Sequence, residues 1–130
     1  MDRADREIAM LETLAAKGLP TATVVGKTTV HGQPAIIFER YSGSSADIVR
    51  NRSVVDDRLL SEASVASLSR IRAVMLETPV AVGRLNLLIR SDGAFVLSDP
   101  GAVWEGQPPQ DQVALIDLLL AAAEAKLGRP

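Results

Sequence analysis

Apolar positions along the chain follow two different periods. Between Arg3 and Lys17 they recur every three or four residues, placing Ile8, Leu11, Leu14 and Ala15 on one side of a helix. Asp2 stands where an N-cap belongs, and Gly18 and Pro20 stop the helix. The next stretch, "TATVVGKTTVHGQPAIIFERY", carries β-branched runs at about 22–30 and 35–40. The intervening "HGQP" predicts a hairpin turn. "YSGSSADIVRN" predicts a corner and a Ser-capped short helix near 45–50. Residues 51–60 are polar and show no assignable pattern. Helical spacing returns over 61–79, with Val65, Leu68, Ile71 (or Arg72) and Met75 as the apolar stripe and Pro79 beyond it. Two short apolar runs, about 86–90 and 94–98, flank Ser91-Asp92-Gly93 and predict a second hairpin. "PGAVWEGQPP" reads as a loop leading to a last helix over 109–127.

That last helix is apolar on nearly every side. Val113, Ile116, Leu120, Ala123 and Leu127 make a packing seam, and Leu115, Leu118, Leu119 and Ala122 extend it around the cylinder. Such a helix is buried, either through the centre of the domain or against a second copy or a protein partner. Tandem strands with helices set apart predict an α+β fold, antiparallel hairpins with three main helices, in a single domain spanning 1–130.

Composition narrows the function classes. The chain has 130 residues, 47% apolar, with two Phe, one Tyr and one Trp, so its core is aliphatic. A net charge of −2 argues against nucleic acid as the main partner. The absence of cysteine excludes disulfides, thiol catalysis and Cys-ligated zinc. No apolar run reaches the length of a membrane span, and the charged N-terminus has no signal-peptide core. The expectation is a cytoplasmic protein, or one exported by a dedicated secretion machine.

Several motifs invite chemistry and carry little. "VVGKTT", Val24 to Thr29, lacks the glycine that a phosphate loop needs five residues before its Gly-Lys pair, and it lies in a strand pattern. His31, the single histidine, reads as a solvated turn residue. Ser44, Ser45 and Ser61 read as helix caps. Trp104 fits a core anchor better than a stacking surface or a partner contact.

The second hairpin is different. An amide, Asn86, stands at its entrance and a carboxylate, Asp99, at its exit, so paired strands would aim both at one point. An amide oxygen and a carboxylate are hard ligands suited to magnesium, which completes its shell with water and phosphate. That is the equipment of phosphoryl transfer.

Here "LNLLIRSDGAFVLSDPG" resembles the protein kinase-like superfamily, including its aminoglycoside phosphotransferase branch. In that family a catalytic loop supplies an Asp and then an Asn, and a short hairpin ends in Asp-Phe-Gly or a relative. The resemblance puts Asn86 on the metal-binding Asn and Asp99 on the metal-binding Asp, with Pro100 in place of Phe. "REIAMLETLAAKGLP" is similar to the helix that carries the family's Glu, with Glu7 or Glu12 as the candidate. "AIIFERY" is similar to the strand entering the hinge between lobes, which implies Glu39 and Tyr41 near the adenine edge of a nucleotide. The resemblance spans about 5–105 and implies magnesium and ATP as cofactors.

The departures are specific. The chain opens at the helix that should follow the glycine-rich loop and the strand lysine, and Lys27 lies on the wrong strand to replace the latter. The catalytic loop shortens to "VAVGRL", so the base position holds Gly83, Arg84 or Leu85, and an arginine accepts no proton. No catalytic residue is identifiable. Two functions follow: a reduced, degenerate phosphotransferase of the bacterial toxin or effector kind, or a non-catalytic module that self-associates or binds a partner through its last helix.

Overall fold

The computed structural model describes residues 2–50 and 54–129. The first helix, α1, runs Arg3–Ala16, and the Asp2 carboxylate accepts from the Asp5 N–H at 2.7 Å to cap it. Strands β1 (Val24–Val30) and β2 (Gln33–Phe38) pair antiparallel. Their turn is His31-Gly32, with φ of 51° and 76°, the left-handed pair that matches strand twist. The expected turn was longer. Gln33 and Pro34 instead open β2, and Pro34 is tolerated there because β2 has no partner on its other side among the described residues.

A two-residue strand, β3 (Gly43–Ser44), leads into the short helix α2 (Ser45–Ile48), which Ser44 and Asp47 close with a capping box. Strands β4 (Val49–Arg50) and β5 (Val54–Val55) pair antiparallel. Helix α3 (Glu62–Glu77) is capped by Ser61, and its buried face is Ser64, Leu68, Ile71 and Met75. Then come β6 (Val80–Val82), β7 (Asn86–Ile89), β8 (Phe95–Ser98), β9 (Val103–Glu105) and α4 (Gln110–Lys126). The architecture is α+β with antiparallel pairs throughout its strands, β3-β7-β8 forming a three-stranded sheet at the centre. The segment before β1 also bridges β8, where Ala22 N–H donates to Leu97 O at 2.8 Å.

Two expectations need correction. The stretch read as a shortened catalytic loop begins as strand β6, fully buried, and the "PGAVWEGQPP" loop contains its partner β9. Three residues are too few for alternation to register. Trp104, expected in the core, is 45% exposed. Alternation along β9 turns Val103 toward the core and Trp104 away from it.

Helix α4 lies along α3 and buries Gln112, Ile116, Leu119 and Ala123. Of the expected seam, Ile116 and Ala123 are buried, while Val113, Leu120 and Leu127 are half-buried. Because most of the cylinder is apolar, spacing alone did not select the face. The core cluster joins α1, α3, α4 and the β7–β8 hairpin through Leu14, Leu68, Leu87, Phe95, Ile116 and Leu119.

Candidate active site

The β7–β8 hairpin fixes the site. Asn86 and Ser98 are register partners, and the Asn86 Nδ2 donates to Ser98 Oγ at 2.9 Å. That bond orients the amide and leaves its carbonyl oxygen as the free end. Asp99 follows Ser98 with a φ of 39°, a left-handed conformation that Asp tolerates better than most residues. The loop before β7 is stitched to the loop after β8. Gly83 N–H donates to Ala102 O at 2.9 Å, and Arg84 N–H donates to Pro100 O at 2.8 Å. A Cβ at Gly83 would stand 3.1 Å from Pro100 O, tighter than ordinary contact, so glycine eases this approach. Arg84 is thereby held beside Asp99, with Nη2 to Oδ1 at 3.2 Å.

At the other end of the hairpin, Ser61 Oγ donates to Asp92 O and Ser64 Oγ to Gly93 O, each at 2.6 Å. Ser67 Oγ accepts from Phe95 N–H at 2.9 Å. Three serines of the α3 N-terminal region therefore clamp the Asp-Gly turn to the helix. The far end, which carries Asn86 and Asp99, inherits that rigidity.

Asn86 and Asp99 both line a cleft of about 820 Å³. One side of it comes from α1 and contributes Arg3, Arg6, Glu7 and Met10. Another comes from β2, with Ile36 and Phe38; Leu88 and Arg84 complete the third. Its volume and mixed lining suit a small-molecule ligand. Glu7 was one of two candidates for the family's helix Glu, and the structure separates them: Glu7 lines the cleft, and Glu12 is exposed outside it. Partial burial, and after it the facing Asp99 carboxylate, push the Glu7 carboxyl above its usual range, while Arg3 and Arg84 pull it back.

A second cleft of about 650 Å³ shares Arg84, Asn86 and Asp99 with the first. These three side chains stand on a ridge between two cavities. Ser45, Asp111 and Gln112 are among those that line its other side.

Glu39 and Tyr41 lie elsewhere. Glu39 is exposed and pairs with Arg90 at 3.7 Å, and the Tyr41 hydroxyl accepts from Thr23 N–H at 2.8 Å. Neither is among the residues lining the two clefts. Lys27 lies on β1, paired to Asp5 and Asp2, and ties the first hairpin to the start of α1. His31 is exposed at its turn tip.

Sequence reasoning did not single out Arg3, Arg6, Asp111 or Gln112. Arg3, Arg6 and Glu7 fall at helical spacing on α1, a signal available in the sequence. Nothing local announces Asp111, which reaches the ridge only through the packing of α4. Among the described residues, no group of three or more His, Cys, Asp or Glu is placed to hold a metal, and no helix is long and apolar enough to cross a membrane.

Compared with known families, residues 1–127 match the model of the family described as "Type III secretion system effector HopBF1 kinase domain". The match takes in the last helix, beyond the span of the resemblance read from motifs. A search of curated proteins finds no match.

Proposed function

The chain belongs to the type III secretion system effector HopBF1 kinase-domain family, and we propose that its larger cleft binds a magnesium–nucleoside triphosphate for phosphoryl transfer. The observation that carries this reading is the meeting of Asn86, Asp99 and Glu7 with three guanidiniums, Arg3, Arg6 and Arg84, in one cleft. Apolar Met10, Ile36, Phe38 and Leu88 offer the same cleft a surface for a base. The arginines supply the positive charge that a triphosphate needs, in place of the phosphate clamp missing from the sequence motifs.

The donor set fits magnesium. The Glu7 carboxyl, raised first by partial burial and then by the facing Asp99, sits across from Asp99 with room for a cation's charge between them. Two hard oxygen donors, Asp99 and the Asn86 carbonyl, with Glu7 beside them, suffice for a cation that keeps waters and takes phosphate oxygens. Held by these residues, magnesium would supply charge neutralisation at the phosphates. The protein's own residues do the rest. Ser98 holds the Asn86 amide, the Gly83–Ala102 and Arg84–Pro100 bonds hold Arg84 against Asp99, and Arg84 carries a positive charge toward the transferring group. As a member of an effector family, the protein is read as one exported by a secretion system to act away from the cell that makes it.

A thermal melt with magnesium and ATP tests the reading. At 100 times its dissociation constant a ligand adds ~2.7 kcal/mol, a shift of several degrees in a domain of this size. Asp99→Asn keeps the tolerated backbone conformation and removes the charge, and it is expected to abolish the shift. A wild-type melt unmoved by millimolar magnesium–ATP overturns the proposal.

A further inference from the structure

We propose that the second cleft receives the acceptor hydroxyl and that Asp111, on α4, takes its proton, a role that the loop before Asn86 leaves unfilled. This rests on the nucleotide reading of the larger cleft. In phosphoryl transfer the attacking and leaving oxygens lie roughly in line across the phosphorus. A nucleotide bound on one side of the Arg84–Asn86–Asp99 ridge therefore meets its acceptor from the other side. That side is the second cleft, which shares those three residues.

Two observations mark that cleft as more than a surface fold. Gln112 is only 7% exposed and donates through Nε2 to Val82 O at 2.9 Å. Its Oε1 is buried and has no partner among the described residues. Reversing the amide would set oxygen against the Val82 carbonyl, so the orientation is fixed and an acceptor atom is left over. A buried acceptor without a donor is costly, and a donor from the cleft satisfies it once the Gln112 wall yields slightly. Asp111, one residue earlier, lines the same cleft and has no hydrogen bond or ion pair among the described residues. Asp99, the other carboxylate there, is paired with Arg84 and committed to the opposite side.

The chemistry balances. The acceptor oxygen forms a bond to the γ-phosphorus as the bond from phosphorus to the β,γ-bridging oxygen breaks. The hydroxyl proton passes to the Asp111 carboxylate, and a nucleoside diphosphate leaves. Arg84 occupies the region of the loop where such a base would otherwise stand, and a guanidinium cannot serve.

The test uses the full chain with magnesium and ATP, with water as acceptor, reading phosphate release beside the nucleotide-induced melt shift. Asp111→Asn is expected to keep the shift and lose about a hundredfold or more in turnover, the range of a general base. Asp111→Glu is expected to recover part of the rate. Turnover in Asp111→Asn within about threefold of wild type, well short of a general base's contribution, overturns the inference and leaves the nucleotide reading standing. A wild type that shifts with magnesium–ATP but releases no phosphate overturns it likewise. A wild type that does not shift overturns both.

Discussion

Two of the protein's antiparallel hairpins, β1–β2 and β7–β8, are of similar make and opposite circumstance. The first, β1–β2, turns at His31-Gly32 and stands in solvent, with Val25 at 67% and Ile37 at 43% exposure. The second, β7–β8, turns at Asp92-Gly93 beneath α3, and every residue of β8 is buried. Both turns obey the same local rule, a glycine with positive φ between apolar runs. Turn chemistry makes a hairpin in either place. Burial decides which one is stiff enough to hold a site, and the amide and carboxylate sit on the buried one.

Core truncation should separate the two most. Phe95 is fully buried in the second hairpin, so Phe95→Ala is expected to cost about 3–5 kcal/mol. Ile37→Ala, on the exposed strand, should cost about 1 kcal/mol or less. Urea titrations of both variants measure the gap. Equal losses would mean that the first hairpin is as much part of the core as the second.

The turns themselves come next. A Cβ at Gly93 would lie 2.1 Å from Ser61 Oγ and 2.8 Å from Leu59 O, at a φ of 97°. Gly93→Ala therefore combines left-handed strain with a clash, about 2–4 kcal/mol together. Gly32 has the same sign of φ and open space around it, so Gly32→Ala costs only the conformational part, about 1 kcal/mol. Because the Gly93 variant also loosens the Ser61 and Ser64 clamps, it should weaken the magnesium–ATP melt shift. The Gly32 variant should leave that shift unchanged.

This contrast also shows what the sequence could tell. Both hairpins, the three long helices and the Ser61 cap were legible because each rests on a local signal: a period, a turn dipeptide or a capping hydroxyl. Asn86 and Asp99 were placed by the same logic, since strand pairing brings their backbones together whatever surrounds them. The β6–β9 pair was not legible, because three-residue strands carry no period and their pairing closes a loop of some twenty residues. Asp111 and Gln112 were illegible for a related reason: only the docking of α4 against α3 carries them to the ridge. Glu39 and Tyr41 illustrate the converse. Their sequence position resembled a hinge, but the side chains went to Arg90 and the Thr23 backbone, partners no motif names.

The smallest expected effect concerns Glu7, which reaches from α1 toward the exit of the stiff hairpin. Its carboxyl is raised above its ordinary value of 4.5 by partial burial and by the facing Asp99. The folded state therefore holds the Glu7 proton more tightly than the unfolded chain does. The sign follows: ionised Glu7 destabilises the fold at neutral pH, and the penalty is relieved as pH falls through its raised folded value toward 4.5. Glu7→Gln removes the charge and keeps the shape, so it should melt higher at neutral pH. The gain is roughly 2 °C, the shift that a few tenths of a kcal/mol produces in a domain this size. Other carboxylates titrate in the same range. The diagnostic is thus the difference between wild-type and variant melts, which should close as the solution is acidified. If the cleft holds magnesium as proposed, the metal should narrow it too at neutral pH, because a cation beside Glu7 would offset the buried charge that the substitution removes. A difference that persists at low pH, or that magnesium leaves untouched, would detach Glu7 from the hairpin's exit.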